Sequence, residues 1–145
     1  MRGDGINPVW QDLGVIERLV REARRVAVVG LSARPDRPSH GVARYLAAAG
    51  IEVVPVNPAL TEWEGRKAYP SLTEVPGHLD VVDVFRRPSE VEEVAREAVA
   101  VGAGALWLQL GVINNQAARV AGEAGLDVVV DRCLAVEHRE VVGWS

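Results

Sequence analysis

The chain carries a single cysteine, a single lysine and no long apolar run. One thiol, Cys133, excludes an internal disulfide and a zinc site built from cysteines. No apolar stretch approaches the roughly 18 residues of a spanning helix, so no membrane partner is expected. The opening residues, MRGDGINPVWQDLG, lack a basic segment followed by an apolar one, and the expectation is a cytoplasmic protein. His40, His78 and His138 are not spaced as metal ligands, and no metal is expected. No serine stands in a G-x-S-x-G elbow, which leaves a Ser-His-Asp hydrolase without support. A net charge of −4 provides no overall pull on nucleic acid. Against the one lysine, Lys67, stand fifteen arginines. A GC-rich coding bias would produce that ratio. So would arginines placed for bidentate contacts to phosphate, which lysine makes less well.

What is present describes a folded domain. The 145 residues are 48% apolar and 25% charged, enough to close a hydrophobic core and far from a disordered composition. No repeat, linker or low-complexity tract interrupts them, so one domain over 1–145 is expected. After an extended arm at Asn7-Pro8, Asp12 caps a helix carrying Leu13, Ile16, Leu19 and Val20 at helical spacing to about Ala23. The first strand is Val26 to Gly30. Ser39 then caps a helix running to Ala49, with Gly50 as its stop. The second strand, Ile51 to Val56, ends in Asn57-Pro58. An irregular stretch follows to Leu79, with room for a short helix over Ser71 to Val75.

Asp80 to Phe85 is the third strand, and a Ser89/Glu92 capping box starts a helix that ends at Gly102. The fourth strand is Ala105 to Leu110. Asn114 caps a helix to Ala124, and Leu126 to Val130 is the fifth strand, from which Asp131-Arg132-Cys133 leads into a tail ending at Trp144. Strands that are nearly continuous apolar runs are buried on both faces. This predicts an α/β fold: a doubly wound, five-stranded parallel sheet of order 3-2-1-4-5 with helices on both faces.

In such a sheet the binding crevice lies beyond the carboxyl ends of the strands. Five loops should share that rim: Gly30-Leu31-Ser32, Val56-Asn57-Pro58, Phe85-Arg86-Arg87-Pro88, Gln109-Leu110-Gly111 and Asp131-Arg132-Cys133. A strand, a glycine and a helix start in succession make a phosphate site, which points to a nucleotide-bearing ligand. The first loop departs from the dinucleotide fingerprint, because Ser32 and Pro35 stand where GxGxxG needs glycine. The second strand ends without the carboxylate that an NAD site places roughly 20 residues past its glycines. Arginines are supplied instead: Arg34, Arg37, Arg86 and Arg87 in the loops and Arg44 on the first sheet helix. An NAD enzyme is disfavoured; an NADP-dependent oxidoreductase, a nucleotide-sugar enzyme or a regulatory nucleotide-binding module stays open.

Taken in order, GLSARPDRPSHGVARYL, VVPVNP, DVFRRP, WLQLGV and DRC resemble the small CoA-binding proteins of bacteria and archaea. These are similar to the N-terminal CoA-binding domain of the succinyl-CoA synthetase α subunit. The likeness runs from about Trp10 to the C-terminus. It implies a Rossmann-type domain that binds coenzyme A or an acyl-CoA as a stand-alone binding, carrier or sensor protein. It implies phosphate contacts from Gly30, Ser32, Arg37, Ser39 and His40, with Leu31 in the same loop. Val56, Asn57 and Pro58 would meet the nucleotide portion. Phe85, Arg86 and Pro88 would lie along the ligand, and Gln109 and Gly111 would face the pantetheine end. The larger synthetases add a second domain with a phosphorylated histidine, for which this chain has no room, so no catalytic residue is assigned.

Several residues keep two readings. Cys133 is either a small buried residue or a thiol within reach of the CoA sulfur, for a mixed disulfide or acyl relay. His40 either contacts ligand or has a structural or solvated role, while His78 and His138 read as solvated. Trp107 belongs to the core. Trp10, Trp63 and Trp144 fall outside regular elements and would anchor loops or mark a dimer surface; a homodimer or another protein partner stays open.

Overall fold

The computed structural model describes residues 6–143. Helix α1 (Leu13–Glu22) begins where Asp12 accepts a hydrogen bond from the Val15 N–H at 3.0 Å, and it buries Ile16, Leu19 and Val20. Strand β1 (Arg25–Val29) follows, then α2 (Pro38–Ala48) and β2 (Glu52–Val56). Ser39 does not cap α2 as expected. Pro38 takes the first helical position, where its missing N–H costs nothing, and Arg37 occupies the cap. Ser39 and His40 thereby fall inside the helix and are buried.

Beyond β2 the chain forms a two-stranded hairpin, β3 (Glu62–Trp63) and β4 (Arg66–Lys67), that patterning does not announce. Leu72–Glu74 is a 3-10 turn in which Ser71 makes no capping bond. Strand β5 (Val81–Val84) leads through a 3-10 turn at Pro88–Glu90, in place of the expected Ser89 capping box, into α3 (Val91–Ala100). The remaining elements are β6 (Ala105–Leu108), α4 (Asn115–Glu123), β7 (Asp127–Val130) and α5 (Leu134–Val142). Asn114 caps α4 as its position suggested, accepting from Ala117 N–H at 3.0 Å.

The sheet has five parallel strands in the order β2-β1-β5-β6-β7. Helices α3 and α4 cover one face and α1, α2 and α5 the other, each over its own apolar layer. The doubly wound α/β class is as expected, but the strand order differs. Counting only the five sheet strands along the chain, it is 2-1-3-4-5 rather than 3-2-1-4-5. The place outside β2 is held by Tyr69 alone, bridged to Val56 through Tyr69 N–H to Pro55 O and Asn57 N–H to Tyr69 O. Pro70 follows at once and offers no N–H with which to extend a ladder. The apolar run of β5, buried on both faces, instead takes the central position on the other side of β1.

The expected tail is a helix. Leu134, Ala135 and His138 are the buried positions of α5, and Trp107 Nε1 donates to Arg132 O at 2.8 Å just before it. His138 is not solvated: it is buried and shares a 2.8 Å hydrogen bond with the Tyr45 hydroxyl, joining α5 to α2. Burial lowers its pKa below the ordinary histidine value. Trp63 lies buried on β3, and Trp10 sits in the 3-10 turn Pro8–Gln11, capped by Asn7, that replaces the expected extended arm. Trp144 lies outside the described residues. No helix among the described residues is long and apolar enough to cross a membrane.

Candidate functional site

The chain leaves β1 toward α2 on one face and leaves β5 toward α3 on the other. The carboxyl ends of these neighbouring strands therefore part, opening the crevice of a doubly wound sheet. Gly30 sits at the fork with φ 88°, and a Cβ there would stand 2.2 Å from Phe85 O. Only glycine fits so close to a neighbouring main chain.

Side-chain bonds hold the first loop in shape. Ser32 N–H donates to Ser39 Oγ at 3.0 Å, Arg34 N–H to Ser32 Oγ at 3.1 Å, and Asn57 Nδ2 to Leu31 O at 3.0 Å. Asn57 thus spends its amide on the backbone of the first loop. Leu31 is wholly buried core. His40 packs edge-on against Trp63 with ring centres 5.5 Å apart, and its Nε2 lies 3.6 Å from Glu64. Ser39 and His40 are accordingly turned inward, and Arg37 is exposed at this helix end.

Across the fork lies a cavity of about 520 Å³. Pro38 and Val42 of α2 face Phe85, Arg86, Arg87 and Pro88 after β5, while Gln109 to Val112 after β6 and Cys133 close it. Gln109 is buried, and its Oε1 accepts the Leu134 N–H at 2.9 Å, fixing the start of α5 to β6. Gly111 N–H donates to Asp131 Oδ1 at 2.7 Å, with Asp131 itself at φ 62°. Leu110 stands 64% exposed at the mouth. The cavity therefore joins an apolar floor to a cationic lip. Of the candidate residues, Phe85, Arg86, Pro88, Gln109 and Gly111 meet here. Val56 and Pro58 line a second hollow of about 250 Å³ behind Arg86, walled by Glu90, Glu93 and Glu97. Gly30, Leu31, Ser32, Arg37, Ser39, His40 and Asn57 line neither.

The cations of the rim are mostly engaged. Arg34 pairs with Asp36 at 3.2 Å, Arg44 with Glu64 at 3.6 Å, and Arg86 and Arg87 both reach Glu90, at 3.2 and 3.6 Å. Among the described residues Arg37 has no such partner. Sequence reasoning did not single out Glu90 or Glu64, although Glu90 stands at the i+4 spacing from Arg86 that would have flagged it.

It also passed over Asp83. This residue lies in the middle of β5, in register with Val28 and Trp107, with no exposed surface. Neither carboxylate oxygen has a hydrogen-bond partner. Burial pushes its pKa well above the ordinary carboxylate range, so a neutral acid is the form the fold favours. Among the described residues, no group of three His, Cys, Asp or Glu side chains is placed to hold a metal ion.

Comparison with known proteins identifies the family. A family model described as a CoA binding domain matches residues 24–139. The chain is 42% identical over 123 residues to the uncharacterized protein YneT of Bacillus subtilis, covering 85% of this chain and 91% of that one. A solved hypothetical protein from Pyrococcus horikoshii superposes with a TM-score of 0.87 at 35% identity, over 99% of this chain and 97% of the other. A third relative is much longer: the ADP-forming acetate–CoA ligase I of Archaeoglobus fulgidus is 28% identical over 128 residues, which cover 80% of this chain but 18% of the ligase. The chain belongs to the CoA-binding domain family.

Proposed function

We propose that this protein binds coenzyme A or an acyl-CoA in the crevice beyond the carboxyl ends of β1, β5 and β6, as a binding, carrier or sensor protein. The observation that carries this reading is the cavity at the fork, where an apolar floor of Phe85, Val42 and Val112 meets the Arg86 and Arg87 lip. Coenzyme A has the matching halves: phosphates that suit guanidinium groups and a long uncharged arm that suits an apolar cleft. Arg37, exposed and uncommitted at the head of α2, adds a cation on the same rim. The dinucleotide alternative is weakened at Asn57, which stands where a ribose-binding carboxylate would and is already bonded to Leu31 O.

A melting series with CoA, acetyl-CoA, NAD and NADP tests the reading. A ligand at about a hundred times its dissociation constant stabilises the fold by roughly 2.7 kcal/mol. That shift is expected with CoA or acetyl-CoA and not with the dinucleotides; the opposite ranking would overturn the proposal.

A further inference from the structure

Arg86 borders both hollows, and in this structure Glu90 sets which way its charge is used. Glu90 Oε1 lies 3.2 Å from Arg86 Nε, and its Oε2 lies 3.6 Å from Arg87 Nη2, so one carboxylate occupies both cations at the lip. Arg86 and Glu90 are 32% and 35% exposed, so the pair is within reach of a competing anion. Glu90 stands at the N-cap of α3 without making a capping bond, so helix initiation does not require its side chain there. Behind it Glu93 and Glu97, at three and seven residues' spacing, wall the second hollow with negative charge. An incoming phosphate thus meets two lip arginines that already share one carboxylate.

We propose that Glu90 is a built-in counter-anion for the binding crevice. It holds Arg86 and Arg87 in the empty protein and must yield them to the ligand's phosphates. It therefore sets a charge threshold: ligands with several phosphate charges displace it, whereas uncharged or singly charged ones do not gain the arginines. This deepens the CoA proposal and rests on it for the ligand, though not for the anion chemistry.

The test is the Glu90→Gln variant, titrated calorimetrically beside the wild type with CoA, with pantetheine and with inorganic pyrophosphate. Releasing the half-buried Arg86 and the exposed Arg87 from one carboxylate should tighten CoA binding about two- to fivefold, the size expected of such pairs. The gain should shrink at raised salt, and pantetheine, which has no phosphate, should bind the two proteins equally. The proposal is overturned if Glu90→Gln binds CoA no more tightly than wild type, or if pantetheine gains as much as CoA. Failure of CoA to bind wild type would instead overturn the functional proposal. Pyrophosphate then decides the role of Glu90: tighter binding by the variant supports it, and equal or undetectable binding by both proteins overturns it.

Discussion

Replacing Asp83 by asparagine should remove one component of this protein's pH dependence. In the unfolded chain an aspartate ionises near about 3.9. In the folded chain Asp83 has no exposed surface and no hydrogen-bond partner, and burial holds its proton to a higher pH. Between these two values the native state binds one more proton than the unfolded state. Stability therefore falls as pH rises, by up to about 1.4 kcal/mol per pH unit, and levels off once the native carboxyl ionises. The layer around it offers no rescue: the two buried imidazoles on that side, His40 and His138, are engaged with Glu64 and Tyr45.

The Asp83→Asn variant would keep the shape and lose the titration. Urea unfolding of both proteins from pH 3 to pH 8 reads the difference, provided the denaturant slope m stays constant. Below about pH 4 the two should lie close together, apart from the difference between an amide and an acid. The variant should then gain on the wild type by up to about 1.4 kcal/mol for each unit of the window. The other carboxylates titrate in both proteins and cancel. A difference that stays constant from pH 4 to pH 8 would refute the buried neutral acid.

Two further outcomes follow from the crevice. Gly30→Ala should destabilise the fold by more than about 2 kcal/mol, because left-handed strain of roughly 1–2 kcal/mol is added to a Cβ placed 2.2 Å from Phe85 O. Gly111→Ala, with φ 79° but no atom within 4 Å of its Cβ, should lose only the strain, so equal melting temperatures for the two variants would contradict the close approach. Arg37→Ala should leave unfolding within about 0.5 kcal/mol of wild type, as exposed positions usually do. It should weaken CoA binding roughly three- to tenfold, the share of one charge-assisted contact at an exposed site; calorimetry showing unchanged affinity would remove the head of α2 from the site.

Much of this architecture was legible because strands buried on both faces leave unbroken apolar runs, as at Val26–Val29 and Val128–Val130, and because Asp12 and Asn114 mark helix starts by their own chemistry. The strand order was not legible. Handedness rules fix how β1 connects to β2, but not which side of the pair the third strand takes; the place outside β2 holds a single bridge at Tyr69, with Pro70 next in the chain. Helix α5 was hidden because a histidine stands at a core position between Glu137, Arg139 and Glu140, so its buried stripe reads as charge. In the rim, the loops after β5 and β6 converge as their positions implied. The first loop differs because helix α2 starts one residue before Ser39, which rotates Ser39 and His40 into the interior and leaves Arg37 outside. Asp83 went unnoticed since one carboxylate in an apolar run looks the same whether it marks a strand end or a buried acid.

The most direct test of CoA binding at this rim is backbone amide NMR of the isotopically labelled protein titrated with CoA. Saturable shift changes should concentrate at Gly30, at Phe85 to Arg87, at Gln109 to Gly111 and at Arg37, while NADP leaves these signals in place. No saturable change with CoA, or changes centred away from these loops, would contradict it.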